Sequence, residues 1–410
     1  MLKAGAMTYA IVLSIIVGAF CLSLVWISTA HRNTRSIFRN KESLIVNSLS
    51  ATSYVLDSDN HSEEKLLILN NDTVYTTKST WGVFNYGTIK ALKRKDTLTR
   101  ALLTGVKVRK ESFPALYIIN NDKSLKLSGN TILKGTIYVP KKGVERAFIQ
   151  GKNFSNRDLY QGTEKKSEKQ LPPLNGYISN LDFEQIFSKK EVIHLDVLPE
   201  DSVFSFQKAT HLYEKSIPIL IREKLRGNLI IVSKDSIVVS KSASLENVIL
   251  AAPKVRFEAG FEGSVQVFAE KGVVLEENVI LKYPSSIYLK DKDSDFRRND
   301  TVKVEIKQDA HLLGGILMTS TSPDFRNLIK LDIGDDASVV GLIYNQGETQ
   351  LRGRIIGSIY TTRFYLNTKS SSYTNHLLDA EINNWKLPDY FIYPNWLEGN
   401  ELKEEIIQWL

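Results

Sequence analysis

The chain has 410 residues, with 53 Lys+Arg against 46 Asp+Glu for a formal net charge of +7. That mild excess suits a negatively charged membrane or glycan surface and does not demand nucleic acid. The single cysteine, Cys21, sits in an apolar stretch, which excludes a disulfide framework and a thiolate metal site from the folded part; a chain this long buries an adequate core without either.

Residues 4–30 contain no charged side chain. A helix of that length reaches about 40 Å, more than the roughly 30 Å hydrocarbon core of a bilayer. The stretch therefore predicts a single membrane span. Its apolar run from Ile11 to Ile27 is too long for the core of a cleaved signal, although Ser28-Thr29-Ala30 is a small-residue exit. A positive-inside count, with Lys3 before the span and Arg32, Arg35, Arg39 and Lys41 after it, puts the bulk of the chain in the cytoplasm. Long translocated domains override that bias, and the modules that follow have an envelope character, so a periplasmic or extracellular body is expected.

After the span, Ile37, Leu44, Ile45, Leu49 and Leu56 recur at sevens and fours, which extends the helix along one apolar face. Polar residues from Ser58 to Glu64 break it. Short strands then follow at Leu66-Leu67-Ile68-Leu69, Thr73-Val74-Tyr75 and Trp81-Gly82-Val83-Phe84. A long hydrophobic helix feeding a small strand-rich head, after the short start Lys3-Ala4-Gly5-Ala6-Met7, resembles the type IV pilins and pseudopilins, and in particular the minor pilins of the PilX type. The resemblance covers about the first hundred residues. It departs from the family at one point: the glutamate usual five residues into the mature helix is missing, since the first acidic residue is Glu42.

The next feature is charged: Lys90, Lys93, Arg94, Lys95, Arg100, Lys107, Arg109 and Lys110 share their segment with one acid, Asp96. Such a cluster is a candidate anion-binding face for DNA, anionic glycan or lipid headgroups, set against the reading of solvated strand faces. No aromatic residue interleaves Lys90 to Lys110, which argues against a single-strand stacking site.

From Leu125 the texture is that of stacked strands: Leu125-Lys126-Leu127-Ser128 and Gly135-Thr136-Ile137-Tyr138-Val139 are expected as the first turns of a repeat. Gln161 to Pro173 is expected as an exposed excursion, and Asn180 to Phe187 as a short helix capped by Asn180. Residues 229–281 then repeat every eighteen. Ile231-Val232-Ser233 aligns with Ile249-Leu250-Ala251 and Val267-Phe268-Ala269, while Ile237-Val238-Val239 aligns with Val255-Arg256-Phe257 and Val273-Val274-Leu275. A second repeat matches Val304, Ile306, Ala310, Leu313, Gly314 and Ile316 to Leu331, Ile333, Ala337, Val340, Gly341 and Ile343, with its extra length in Thr319 to Asn327. Gly357-Ser358-Ile359-Tyr360 echoes Gly341-Leu342-Ile343-Tyr344. Units that cannot bury an inner face alone, but do so by stacking, define a parallel β-solenoid. In repeat style this stretch is similar to the bactofilins and other polymer-forming β-solenoids, which would imply a scaffold. The tail, with Trp385, Tyr390, Phe391, Tyr393 and Trp396, reads as an aromatic cap on an open solenoid end, which argues against polymerisation.

Chemistry is sparse. The histidines His31, His61, His194, His211, His311 and His376 show no metal-ligand spacing. Asp291, Asp293 and Asp295 alternate like a calcium loop, but Phe296 stands where glycine belongs and Val302 where the closing glutamate belongs. Asp335-Asp336 after Gly334 reads as a turn. No cofactor, metal or small-molecule substrate is identified.

The expected fold is mainly β: a transmembrane anchor and stalk (1–56), a pilin-like strand region (57–124), a β-solenoid (125–366, with an excursion at about 152–226) and an aromatic cap (367–410). The expected role is a membrane-anchored, non-catalytic structural or adhesive envelope protein. The alternatives are a pilus or secretion-filament subunit contacting DNA or anionic glycan, and a carbohydrate-active enzyme on the solenoid face.

Overall fold

The computed structural model of the chain describes residues 3–57, 61–69, 72–107, 113–182, 192–291, 301–321, 329–368, 371–397 and 403–410. The chain is mainly β, with one long apolar helix and a parallel sheet of many strands. It divides into two units, residues 1–78 with 87–100 and residues 79–86 with 101–410.

In the first unit, helix α1 (Lys3–Asp57) runs without interruption through a segment that holds no proline. Its leading part is exposed on all sides, whereas Leu44, Asn47, Ser48, Ala51, Thr52 and Val55 are buried. These six recur at the spacing of one helix face. The expected face is corrected, since Ile37, Ile45 and Leu49 remain exposed and of that set only Leu44 is fully buried. The contact is instead made by small and polar residues, because Ser43 and Asn47 hydrogen-bond Asp72.

Strands β1 (His61–Leu69) and β2 (Asp72–Trp81) pair antiparallel. With β3 (Phe84–Lys93) and β4 (Asp96–Lys107) they give the order β1-β2-β3-β4, and the strand Lys403–Trp409 lies antiparallel beside β4. Trp81 to Phe84, expected as a strand, is the turn of a hairpin. Gly82 carries it at φ 64°, and a Cβ there would lie 2.1 Å from Gln266 Oε1.

Between β4 and the last strand, in the second unit, the chain forms a parallel β-helix whose turns present three faces, here called A, B and C. The repeat columns hold on face C: Ile237 pairs with Val255 and Val255 with Val273, while Val239, Phe257 and Leu275 pair likewise. All six are buried, and Arg256 and Val274 turn outward. The longer repeat also holds, with Val304 beside Leu331, Ile316 beside Ile343, and Gly341 beside Gly357. Within its expected loop, residues 322–327 lie outside the described residues. One column slips: Ile231 pairs with Leu250, not Ile249, and Leu250 with Val267. The cause is an extra residue at the corner before face B, where the register shifts between Glu246 and Val248 around Asn247 at φ 58°.

Two kinds of corner repeat along the stack. Gly314, Gly341 and Gly357 turn face A into face B at φ 135–147°, and a Cβ at any of them would come within about 2 Å of a carbonyl oxygen of the neighbouring turn. Asn278, Asp309, Asp336 and Asp379 turn face C into face A in the left-handed region. Asp336 is thus a turn residue, as its sequence suggests.

The stacking order differs from the chain order. Leu116–Ile118 pairs with Ile359 to Thr361 on one side and Ile137–Val139 on the other. Glu381–Asn383 pairs with both Arg354-Ile355 and Ile132–Lys134, and His376–Leu378 with Lys126 to Ser128. The turn after Arg354–Asn367 is therefore composite: face A comes from 381–383, and faces B and C come from 116–118 and 125–128. The strands at 125–139 are not the first turns in space but stack beyond the turn built from 354–378.

The expected excursion is corrected too. Val192–His194, Asp201–Phe204, Thr210–Lys215, Ile219–Ile221 and Lys224–Gly227 are all strands of the stack. Residues 167–182 leave it and run along the outside of face B. Tyr117 Oη donates to Gln170 O, Tyr344 Oη to Pro172 O and Tyr288 Oη to Leu181 O. The short helix in this strap is Gly176–Asn180, capped by Asn175 through Ile178 N; Asn180 is its last residue, and 183–187 lie outside the described residues.

Beside the strap, Phe391, Tyr393 and Trp396 also pack on face B. Tyr283 Oη donates to Ile392 O, and Trp396 stands over Gly315. The C-terminal aromatics do act as a cover, but of a side face, with Trp385 and Tyr390 left exposed.

Phe257 fills the inner column completely, so Phe257→Ala is expected to cost about 3–5 kcal/mol, and Val274→Ala on the outer side less than about 1 kcal/mol. Denaturant unfolding of the two variants checks the register; equal losses would contradict it.

Candidate functional site

The eight basic residues expected as an anion-binding face divide as follows. Lys90, Lys93, Arg94, Lys95 and Arg100 belong to the first unit and Lys107 to the second, while Arg109 and Lys110 lie outside the described residues. Lys93 Nζ donates to Asp72 Oδ2 at 3.0 Å and Ser43 Oγ at 2.8 Å, and Lys107 Nζ meets Glu405 Oε2 at 3.0 Å. Arg94 and Lys95 form the exposed turn between β3 and β4, with Arg94 at φ 56°, and Lys90 is exposed on β3. Periodicity along β3 explains the division: Lys93 shares the buried face of Ile89 and Ala91, and Lys90 points the other way.

Asp72 is the centre of a buried polar node. Ser43 Oγ and Asn47 Nδ2 each donate to its Oδ2 at 2.8 Å, beside the Lys93 ammonium. Burial pushes the carboxyl up, but the bonds from Ser43, Lys93 and Asn47 and the Lys93 charge outweigh it and hold Asp72 below the ordinary aspartate range. Nothing in the sequence singled Asp72 out, because its partners lie on a helix some thirty residues earlier and on a strand twenty residues later.

In the second unit, a groove of about 430 Å³ opens on the outside of face C. Val238 and Val274 line it, with Lys254, Arg256, Lys271 and Lys303. Its origin is a missing side chain. Lys254 pairs with Gly272 and Gly272 with Lys303, so the two lysines stand in one column with a glycine between them.

Two of the four cations are matched: Arg256 Nε meets Glu276 Oε1 at 2.9 Å, and Lys303 meets Glu305. Glu276 also accepts from Lys307 at 2.7 Å; burial pushes its carboxyl up, and the bonds and charges of Lys307 and Arg256 more than offset this and hold it low. Lys254 and Lys271 have no carboxylate partner among the described residues. The sequence carries no signal for this cluster, since its members come from three turns and none is part of a charge run.

Asp291 is buried at the end of the strand Ile280–Asp291, and Asp293 and Asp295 lie outside the described residues. His311 Nδ1 bonds Ser338 Oγ at 2.8 Å across neighbouring turns.

No protein-family model matches the sequence, and no curated protein matches it. Among solved structures, the chain is similar to the competence-associated pilin ComZ from Thermus thermophilus, with a TM-score of 0.27 and 7% identity over 85% of this chain and 86% of that one. A likeness of that size carries no argument, and the functional reading rests on the geometry of the chain itself.

Asp72 generates a pH prediction. A carboxyl held low in the fold stabilises it above the unfolded value of about 3.9, and that contribution disappears as pH falls through the lower folded value. Asp72→Asn is expected to lose roughly 1–3 kcal/mol at neutral pH, since Lys93 loses its charged acceptor. Thermal unfolding of both proteins in detergent should show the difference shrinking below about pH 4; a pH-independent difference would contradict the assignment.

Proposed function

We propose that the chain is a membrane-anchored, pilin-like envelope subunit that displays its β-helix outside the membrane as a structural or adhesive module, without catalysis. The observation that carries this reading is the division of α1. Its C-terminal part turns a buried face to the first unit, while the leading part leaves Ile11, Leu13, Ile15, Ile16, Phe20, Leu24 and Trp26 each more than half exposed. The helix is long and apolar enough to cross a membrane, and so much exposed apolar surface requires lipid or apolar neighbours.

The topology supports the pilin-like part. A long helix is followed by an antiparallel strand series, and the β-helix enters the chain between β4 and the strand Lys403–Trp409 that pairs with it. In this reading the helix anchors the chain and the inserted β-helix supplies a long, regular surface.

A second reading, incorporation into a pilus or secretion filament, has the same exposed helix in its favour. In a filament that surface packs against other helices, and in an isolated anchor it stays in lipid.

With the body outside, protease added to intact spheroplasts of an expressing strain should digest the chain down to a membrane-embedded fragment. Protection until lysis would contradict the topology. In the filament reading, sheared surface fibres contain the chain; in the isolated-anchor reading it remains wholly with the membrane.

A further inference from the structure

The geometry points to the face C groove as a binding site for a linear acidic oligosaccharide, held through its carboxylate or sulfate groups. Three observations meet there. First, the groove is concave, and its size of about 430 Å³ falls within the range of small-ligand sites, roughly 300–1,000 Å³. That suits a few sugar rings and is too confined for a nucleic-acid duplex.

Second, among the described residues four cations surround it while two carboxylates, Glu276 and Glu305, answer them. Lys254 and Lys271 are exposed and carry no carboxylate partner among the described residues, so their charge is available to a ligand. Lys254 and Lys303 lie two strands apart in one column, which sets their backbones about 10 Å from each other along the stack. A chain bearing acidic groups at intervals meets that spacing by lying parallel to the β-helix axis.

Third, the floor is aliphatic. Val238 and Val274 offer apolar surface for the C–H faces of sugar rings, and among the described residues no aromatic side chain lines the groove to stack a nucleobase. Single-stranded nucleic acid without a stacking platform would be held by charge alone, which needs no groove. The shape and lining together therefore favour the glycan.

Gly272 makes the groove testable independently of charge. A Cβ there meets one neighbour, Lys303 O at 3.3 Å, so a strand-compatible side chain fits after a shift of a few tenths of an ångström and fills the gap between Lys254 and Lys303. Filling it leaves every cation in place.

The experiment uses the full chain in nanodiscs of zwitterionic lipid, with oligogalacturonate as probe, a neutral cello-oligosaccharide as control and single-stranded DNA as competitor. Wild type is expected to bind oligogalacturonate at low salt, with affinity falling as salt rises, and to ignore the neutral glycan. Lys254→Gln with Lys271→Gln is expected to weaken binding tenfold or more, and Gly272→Val to do the same with the charges intact. The lysine variant changes exposed side chains and keeps the test valid if the glycine variant fails to fold. No oligogalacturonate binding by wild type, or unchanged binding in the folded variants, overturns the site. DNA that binds more tightly and is lost in Gly272→Val overturns the choice of ligand.

Discussion

A parallel β-helix is held together by continuity: each turn must cover the inner residues of the last and pair its strand edges. In this chain no single segment supplies the turn that follows Arg354–Asn367. It is supplied by Glu381–Asn383 together with strands from near residue 120. Leu116, Ile118, Leu125, Leu127 and Ile382 are completely buried there, each worth about 1.5–3 kcal/mol relative to exposure. Without both contributors, the stack would break into two pieces, each with an open apolar end.

That splice explains the route of the chain. The turns built from 116–166 sit at one end of the stack, and the turn at 192–204 lies at the other. The polypeptide must travel between them, and the strap at 167–182 does so along face B, anchored by the hydroxyls of Tyr117, Tyr344 and Tyr288. Burial pushes Tyr288 and Tyr344 up to about 12, as expected for phenols kept neutral beneath a covering segment. The rings of Tyr138, Tyr117, Tyr360 and Tyr344 follow one another at centroid distances of 5.2, 5.7 and 6.1 Å, so the aromatic column crosses the splice without a gap. Face B thus has an apolar core on each side. Face C carries no such strap among the described residues, and the groove opens there.

What was legible in the sequence follows from what is local. Apolar continuity showed the helix, and the alternation around Arg256 showed which residues of face C point inward, because side-chain direction within a strand depends only on neighbours. The longer repeat was legible for the same reason, its corners being fixed by Gly314 and Gly341. A one-residue insertion at Asn247 was not, since eighteen-residue spacing elsewhere hid it. The splice was invisible: pairing of His376 with Lys126 leaves no periodic trace between residues so far apart. In the basic run near residue 93 the inward turn of Lys93 to Asp72 was not legible, because charge density along a chain says nothing of facing. The groove was missed for the complementary reason, as a glycine and four separated cations form no run.

The composite turn is tested most directly by a cross-link across it. His376 and Lys126 are register partners, both half-buried on the outside of face C. Neighbouring strands lie about 4.8 Å apart, within the Cα separation a disulfide accepts. With Cys21→Ser removing the native thiol, Lys126→Cys and His376→Cys should form a disulfide in high yield on mild oxidation, seen as a mobility shift reversed by reductant. Pairing Lys126→Cys with Leu378→Cys, two residues out of register, should not. Failure of the in-register pair, or equal yield from both, would contradict the splice and the stacking order built on it.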